Sequence, residues 1–112
     1  MDPRDPFYVS GPYGEAHGMV TWDSDTLAEV NLIVSDSRYD GWCAVVVTDA
    51  ANFGMWIDDR ACGAGTSQEG YSNPAAAPMS TLHTVTFTIC GYYPPGDVWD
   101  CGDTDALDNP LD

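Results

Sequence analysis

The side chains of this 112-residue chain with the reactivity to do chemistry are two histidines, four cysteines and a large excess of carboxylates. A serine-type hydrolase needs a nucleophile held by a base. His17 and His83 are the only imidazoles, and no G-x-S-x-G surrounds any serine. His83 continues the inward face of a strand and is expected at its buried end or rim, whereas His17 opens a strand and is expected to be exposed. Carboxylate pairs occur at Asp23 with Asp25, Asp58 with Asp59 and Asp103 with Asp105, but 18 acidic residues produce such pairs by composition alone. Glycosidase chemistry would also need a cleft that sets two carboxyls at a fixed separation, which a chain this small seldom builds. The run Asp36-Ser37-Arg38-Tyr39-Asp40-Gly41 begins like an EF-hand loop, yet Arg38 stands at its third position and Val47 at its twelfth, where calcium needs oxygen. The expectation is a protein that is no enzyme, with no catalytic residue, no cofactor and no resident metal; a weak calcium site at turn aspartates is the open alternative.

Cys43, Cys62, Cys90 and Cys101 stand singly, never as C-x-x-C, which is the pattern of a disulfide framework rather than of a zinc knuckle or redox pair. Four cysteines allow three pairings. The local pattern favours sequential partners, Cys43 with Cys62 and Cys90 with Cys101. The first two would lie near the open end of a hairpin turning at Asp49 to Gly54, and the second two would flank the Pro94-Pro95-Gly96 turn. Each crosslink is expected to stabilise the fold by about 2–4 kcal/mol. An oxidising compartment, and hence secretion, is implied. The opening Met-Asp-Pro-Arg-Asp-Pro carries no hydrophobic run of a signal peptide, so a secreted protein is expected here in its mature form. No apolar run is long enough for a transmembrane helix.

The formal charge of −15, with no lysine and only Arg4, Arg38 and Arg60, argues against nucleic acid and against anionic membrane as partners. It would steer positively charged proteins toward the chain. Solubility alone is the simpler reason for the same charge.

The elements that must position these residues read as short strands. His17 to Asp23 alternates, with Val20 and Trp22 on one side. Ala28, Val30, Leu32 and Val34 alternate with Glu29, Asn31, Ile33 and Ser35. Trp42 to Val47 is apolar on both faces, as in a strand buried between layers. In the next clear strand His83, Val85, Phe87 and Ile89 face inward and Thr84, Thr86 and Thr88 outward, with Cys90 on the threonine face and its disulfide near the surface. Gly63 to Pro78 reads as a long loop. About six strands and no helical period predict an all-β fold, a small antiparallel β-sandwich. Its core is expected to contain Val20, Trp22, Val30, Leu32, Val45, Val47, Val85, Phe87 and Ile89. Three segments follow: an extended N-terminal arm over residues 1–14, a disulfide-stabilised domain over 15–101, and a mobile acidic tail over 102–112.

Loop-borne aromatics are the best sign of a partner. Phe7, Tyr8 and Tyr13 lie in the arm, Tyr92 and Tyr93 precede the Pro-Pro-Gly turn, and Trp99 follows it. Phe7, Tyr8, Val9 and Tyr13 are the expected partner-binding residues, with Phe7-Tyr8-Val9 adding to a neighbour's sheet or entering its cleft. The partner is expected to be another secreted protein with a basic or cleft-bearing surface. Alternatives are a protease inhibitor acting through the Ala61-to-Pro78 loop, a carbohydrate-binding module using exposed Trp and Tyr, and a small secreted hydrolase resting on His83 or an aspartate pair.

The stretch Val30-x-Leu32-x-Val34-x-Asp36-x-x-x-Asp40-Gly41-x-Cys43-Ala44-x-Val46 resembles small secreted four-cysteine β-proteins of actinobacteria, among them the adaptor subunits of umbrella toxin particles. The resemblance covers about a sixth of the chain. It implies a secreted adaptor that links a lectin-like subunit to a repeat-bearing toxin, with the amino-terminal arm entering a cleft of its partner. The matching residues here are Phe7, Tyr8 and Val9.

Overall fold

Alternating apolar and polar residues carry the chain through eight strands in the computed structural model, which describes residues 3–36, 41–50 and 55–112. They are β1 (Arg4–Gly11), β2 (Gly14–Trp22), β3 (Ala28–Asp36), β4 (Cys43–Ala50), β5 (Met55–Cys62), β6 (Ser67–Ser72), β7 (Thr84–Tyr93) and β8 (Val98–Asp108). The one helical element among the described residues is a single 3-10 turn at Pro94–Gly96. The strands form two four-stranded sheets, in the orders β1-β2-β3-β6 and β5-β4-β7-β8, antiparallel throughout. The all-β sandwich expected from the sequence is thus the fold, with eight strands in place of about six.

The three added or extended strands correct the segment boundaries. The expected arm is β1, paired with β2 from Arg4↔Thr21 to Gly11↔Gly14. Pro3, Pro6 and Gly11 interrupt a helix but not an edge strand, where no neighbour needs the missing N–H. Phe7 and Val9 are 3% and 0% exposed, and the Phe7 ring stacks on Phe87 of the opposite sheet with centroids 3.6 Å apart. The buried Trp22 indole donates to Asp5 at 2.8 Å, fastening the same strand a second time. The expected mobile tail is mostly β8, whose register on β7 runs from Tyr93↔Val98 to Thr84↔Asp108. Beyond it the buried Asn109 side chain donates to the carbonyls of Leu82 and Ser24. The expected long loop contains β6, paired with β3. The turn expected at 36–41 and the tip expected at 49–54 fall largely outside the described residues.

All nine expected core residues are buried, but not in one core. The space between the sheets takes Phe7, Val9, Val20, Trp22, Val30 and Leu32 from one side and Ala44, Val46, Val85, Phe87 and Ile89 from the other. Val45 and Val47 point the opposite way, into a separate cluster with Cys43 and Cys90 on the outer face of the second sheet. Their strand is apolar on both faces, so composition did not assign the faces; the cross-strand register does.

Candidate binding face

Both disulfides form between residues directly opposite each other in the second sheet. Cys43 faces Cys62 across β4 and β5, and Cys90 faces Cys101 across β7 and β8, as sequential pairing predicted. Cys90 is buried while Cys101 is exposed, so only one half of that bridge reaches the surface. The register aligns Cys62, Cys43, Tyr92 and Trp99 in one row across the outer face, with Arg60, Val45, Cys90 and Cys101 in the next. Arg60 reaches across these rows. Its guanidinium lies 4.9 Å from the Tyr92 ring centre and 5.6 Å from that of Trp99, and it pairs with Asp58 at 3.2 Å. Cross-strand disulfides, the tilted Tyr92–Trp99 ring pair and a cation over both rings are packing devices. Together they close this face over Val45 and Val47.

The outer face of the first sheet is built differently. Alternation that buries Phe7, Val9, Val20 and Leu32 turns Tyr8, His17, Met19, Asn31, Ile33, Glu69 and Tyr71 outward. Register sets them in two rows across the strands: Tyr8, His17, Ile33 and Glu69, then Pro6, Met19, Asn31 and Tyr71. Between the rows lies an open groove of about 700 Å³ with the backbone of Gly18, Leu32 and Gly70 as its floor. Tyr8, Met19 and Tyr71 are 55%, 37% and 61% exposed.

Hydrogen bonds hold both tyrosines. The Tyr8 hydroxyl donates to Glu15 at 2.6 Å and that of Tyr71 to Glu29 at 3.1 Å. Glu15 lies on the far side of the first row and Glu29 on the far side of the second; Tyr71 lines the groove, and Tyr8 stands outside its lining. Each bond to a carboxylate raises the phenol's pKa above its ordinary value, with lesser contributions from desolvation and the carboxylate's charge. At neutral pH both hydroxyls therefore keep the proton they donate.

Of the residues expected to bind a partner, only Tyr8 lies on this face. Phe7 and Val9 are core residues, because in a strand every second side chain of the same run must turn inward. Tyr13 is also structural: its hydroxyl donates to Asp100 at 2.7 Å and its ring stacks on Trp42 with centroids 4.5 Å apart. That ring lies so close over Gly91 that a Cβ there would fall 2.3 Å from it. The sequence reading missed Met19, Ile33 and Tyr71; the polar-side positions of the β2 and β3 alternation carried the signal for the first two. Tyr71 was lost with the assignment of β6 to a loop.

His17 sits in the groove, exposed as expected. Of the two places expected for His83, the buried one is excluded: it is exposed at the rim, just before β7, with Nδ1 bonded to the Asp112 carboxylate and Nε2 to the Thr81 hydroxyl. Asp112 also bonds Thr81, and its pKa is lowered by the His83 bond first and the Thr81 bond second. The three close a ring that fastens residue 112 to the segment before β7. Among the described residues no three His, Cys, Asp or Glu side chains converge as a metal site, and no helix is long and apolar enough to cross a membrane. Comparison with protein-family models, curated proteins and solved structures finds no match to this chain.

Proposed function

We propose that this chain is a secreted, non-enzymatic interaction module that binds another protein on the outer face of its first sheet. The observation that carries the reading is the asymmetry of the sandwich. One outer face is covered over Val45 and Val47 by two disulfides, Arg60, Tyr92 and Trp99, with Trp99 itself 43% exposed, while the other leaves Tyr8, Met19 and Tyr71 exposed around an open groove. Exposed tyrosine and methionine on a rigid sheet are the residue types enriched at protein interfaces. Two disulfides support a life in an oxidising compartment. The resemblance to adaptor subunits suggests a secreted assembly as the setting, but with Phe7 and Val9 in the core the contact belongs to the sheet face and not to a free arm.

A carbohydrate is the second reading, favoured by the two exposed tyrosine rings with fixed hydroxyls. The aliphatic side chains that Met19 and Ile33 present beside the groove make a protein side chain the better occupant.

The experiment is recovery of the affinity-tagged, disulfide-intact protein from the medium of its native producer, followed by identification of co-purifying chains. A stoichiometric protein retained by Thr104→Asp, on the opposite face, and lost from Met19→Asp and Tyr71→Ser is the expected result. Equal retention by all three variants would remove the sheet face from the account.

A further inference from the structure

We infer that the groove takes an extended protein segment in which an apolar side chain is flanked by lysine or arginine, laid across the strands of the first sheet. The inference rests on the reading of this face as the binding surface and adds the chemistry of what it binds. Register gives the groove its direction: its walls are the two cross-strand rows, so it runs perpendicular to β2, β3 and β6. Rows two residues apart along a strand are separated by about 7 Å, and the three strands that line the groove span about 10 Å. An extended chain rises about 3.3 Å per residue, so roughly three residues fill that length.

Met19 and Ile33 face each other diagonally over the groove floor and offer a place for one aliphatic or aromatic side chain. Charge surrounds that place with one sign. Glu69 lines the groove itself, Glu15 and Glu29 stand behind its two walls, and no described cation pairs with any of them. The chain as a whole carries −15, which raises the encounter rate with a cationic ligand and repels an acidic one. A second copy of this chain would bring like charge against like, so the occupant is a different molecule. The bond from Tyr71 to Glu29 adds pre-organisation, because it holds one groove-lining ring in place before binding.

The test selects ligands without presupposing them. A display library of random heptapeptides is panned against the immobilised, disulfide-intact chain, with Glu29→Lys/Glu69→Lys as the counter-selected variant and Glu69→Gln as a milder second one. All are first checked for an unchanged thermal transition. The expected outcome is enrichment of sequences with lysine or arginine on both sides of a large apolar residue. The synthesised winner should bind at least about tenfold more weakly in high salt and to the double variant, and should perturb the amide resonances of residues 17–19, 31–33 and 69–71. Enrichment of acidic or uncharged sequences, or none above the counter-selected variant, would overturn the inference. So would binding of neutral linear oligosaccharides to the same amides. If the natural partner still requires Met19 and Tyr71 while the library returns no cationic motif, the binding face survives and this inference alone falls. If neither dependence appears, both fall.

Discussion

Thr48 places a hydroxyl inside the sandwich, 1% exposed, with no hydrogen-bond partner among the described residues. Its β4 position alternates with Val45 and Val47 on the outer face and matches Val46 in pointing to the main core. A buried donor without a partner costs about 1–3 kcal/mol, whereas an isosteric methyl removes that cost. Thr48→Val is therefore expected to raise unfolding stability by about 1 kcal/mol, measured by urea denaturation at constant slope. A loss of stability would reveal an internal bond to this hydroxyl. Asp59 makes a second residue-scale case. Its carboxyl lies so near Gly70 that a Cβ there would meet it at 2.6 Å. Burial first, and the Asp58 charge second, raise its pKa above the ordinary aspartate value. A raised pKa means the folded state holds this proton more tightly than the unfolded chain does. The resulting stabilisation is complete below the unfolded value of about 3.9 and is lost as pH rises through the folded value. Asp59→Asn should raise the Tm slightly at pH 7, and the gain should vanish near pH 3. A gain that persists in acid would mean the charge is not its source.

At the scale of elements, β1 decides between a free arm and a structural strand. Phe7 packs on Phe87 and Tyr8 faces solvent, one residue apart. Phe7→Ala should lower stability by about 3–5 kcal/mol, and Tyr8→Ala by less than about 1 kcal/mol, both read by chemical denaturation. Equal, small losses would restore the arm. The apolar-polar-apolar order of Phe7, Tyr8 and Val9 was legible as a strand, but the flanking prolines and glycines outweighed it, and edge strands are where prolines are tolerated. β8 was hidden for a related reason. Its aspartates have low strand propensity, yet on an exposed edge they cost little and discourage pairing with other sheets. The Cys90–Cys101 bridge anchors it across a register shift between Thr88 and Cys90, and only the bridge was visible beforehand. The sequential disulfides, the β2–β3 alternation and the inward face of β7 were all legible, because each depends on a local period or on hairpin neighbours. The two-faced β4 was not, since its outward assignment depends on sharing a face with Cys62 and Cys90 on other strands.

For the whole molecule, the division of labour between faces explains features that are unrelated at smaller scales. Crosslinks, the Arg60 stack and a second small core sit on one sheet, so the disulfides are kept away from the groove on the other. Acidic residues spread over both sheets and both edges set the net charge, while Met19 and Ile33 set aliphatic side chains beside the groove; on the proposed reading the first attracts cations at long range and the second takes an apolar group at short range. The most direct measurement of this division is site-specific photo-crosslinking. A photoactivatable side chain is introduced at Ile33, in the groove, or at Thr104, on the outer face of the second sheet, and the tagged protein is irradiated in its native medium. Crosslinks to one co-purifying protein from position 33, and none from 104, are the result this account requires. Crosslinks from 104 alone, or a stoichiometric partner that neither position touches, would contradict it.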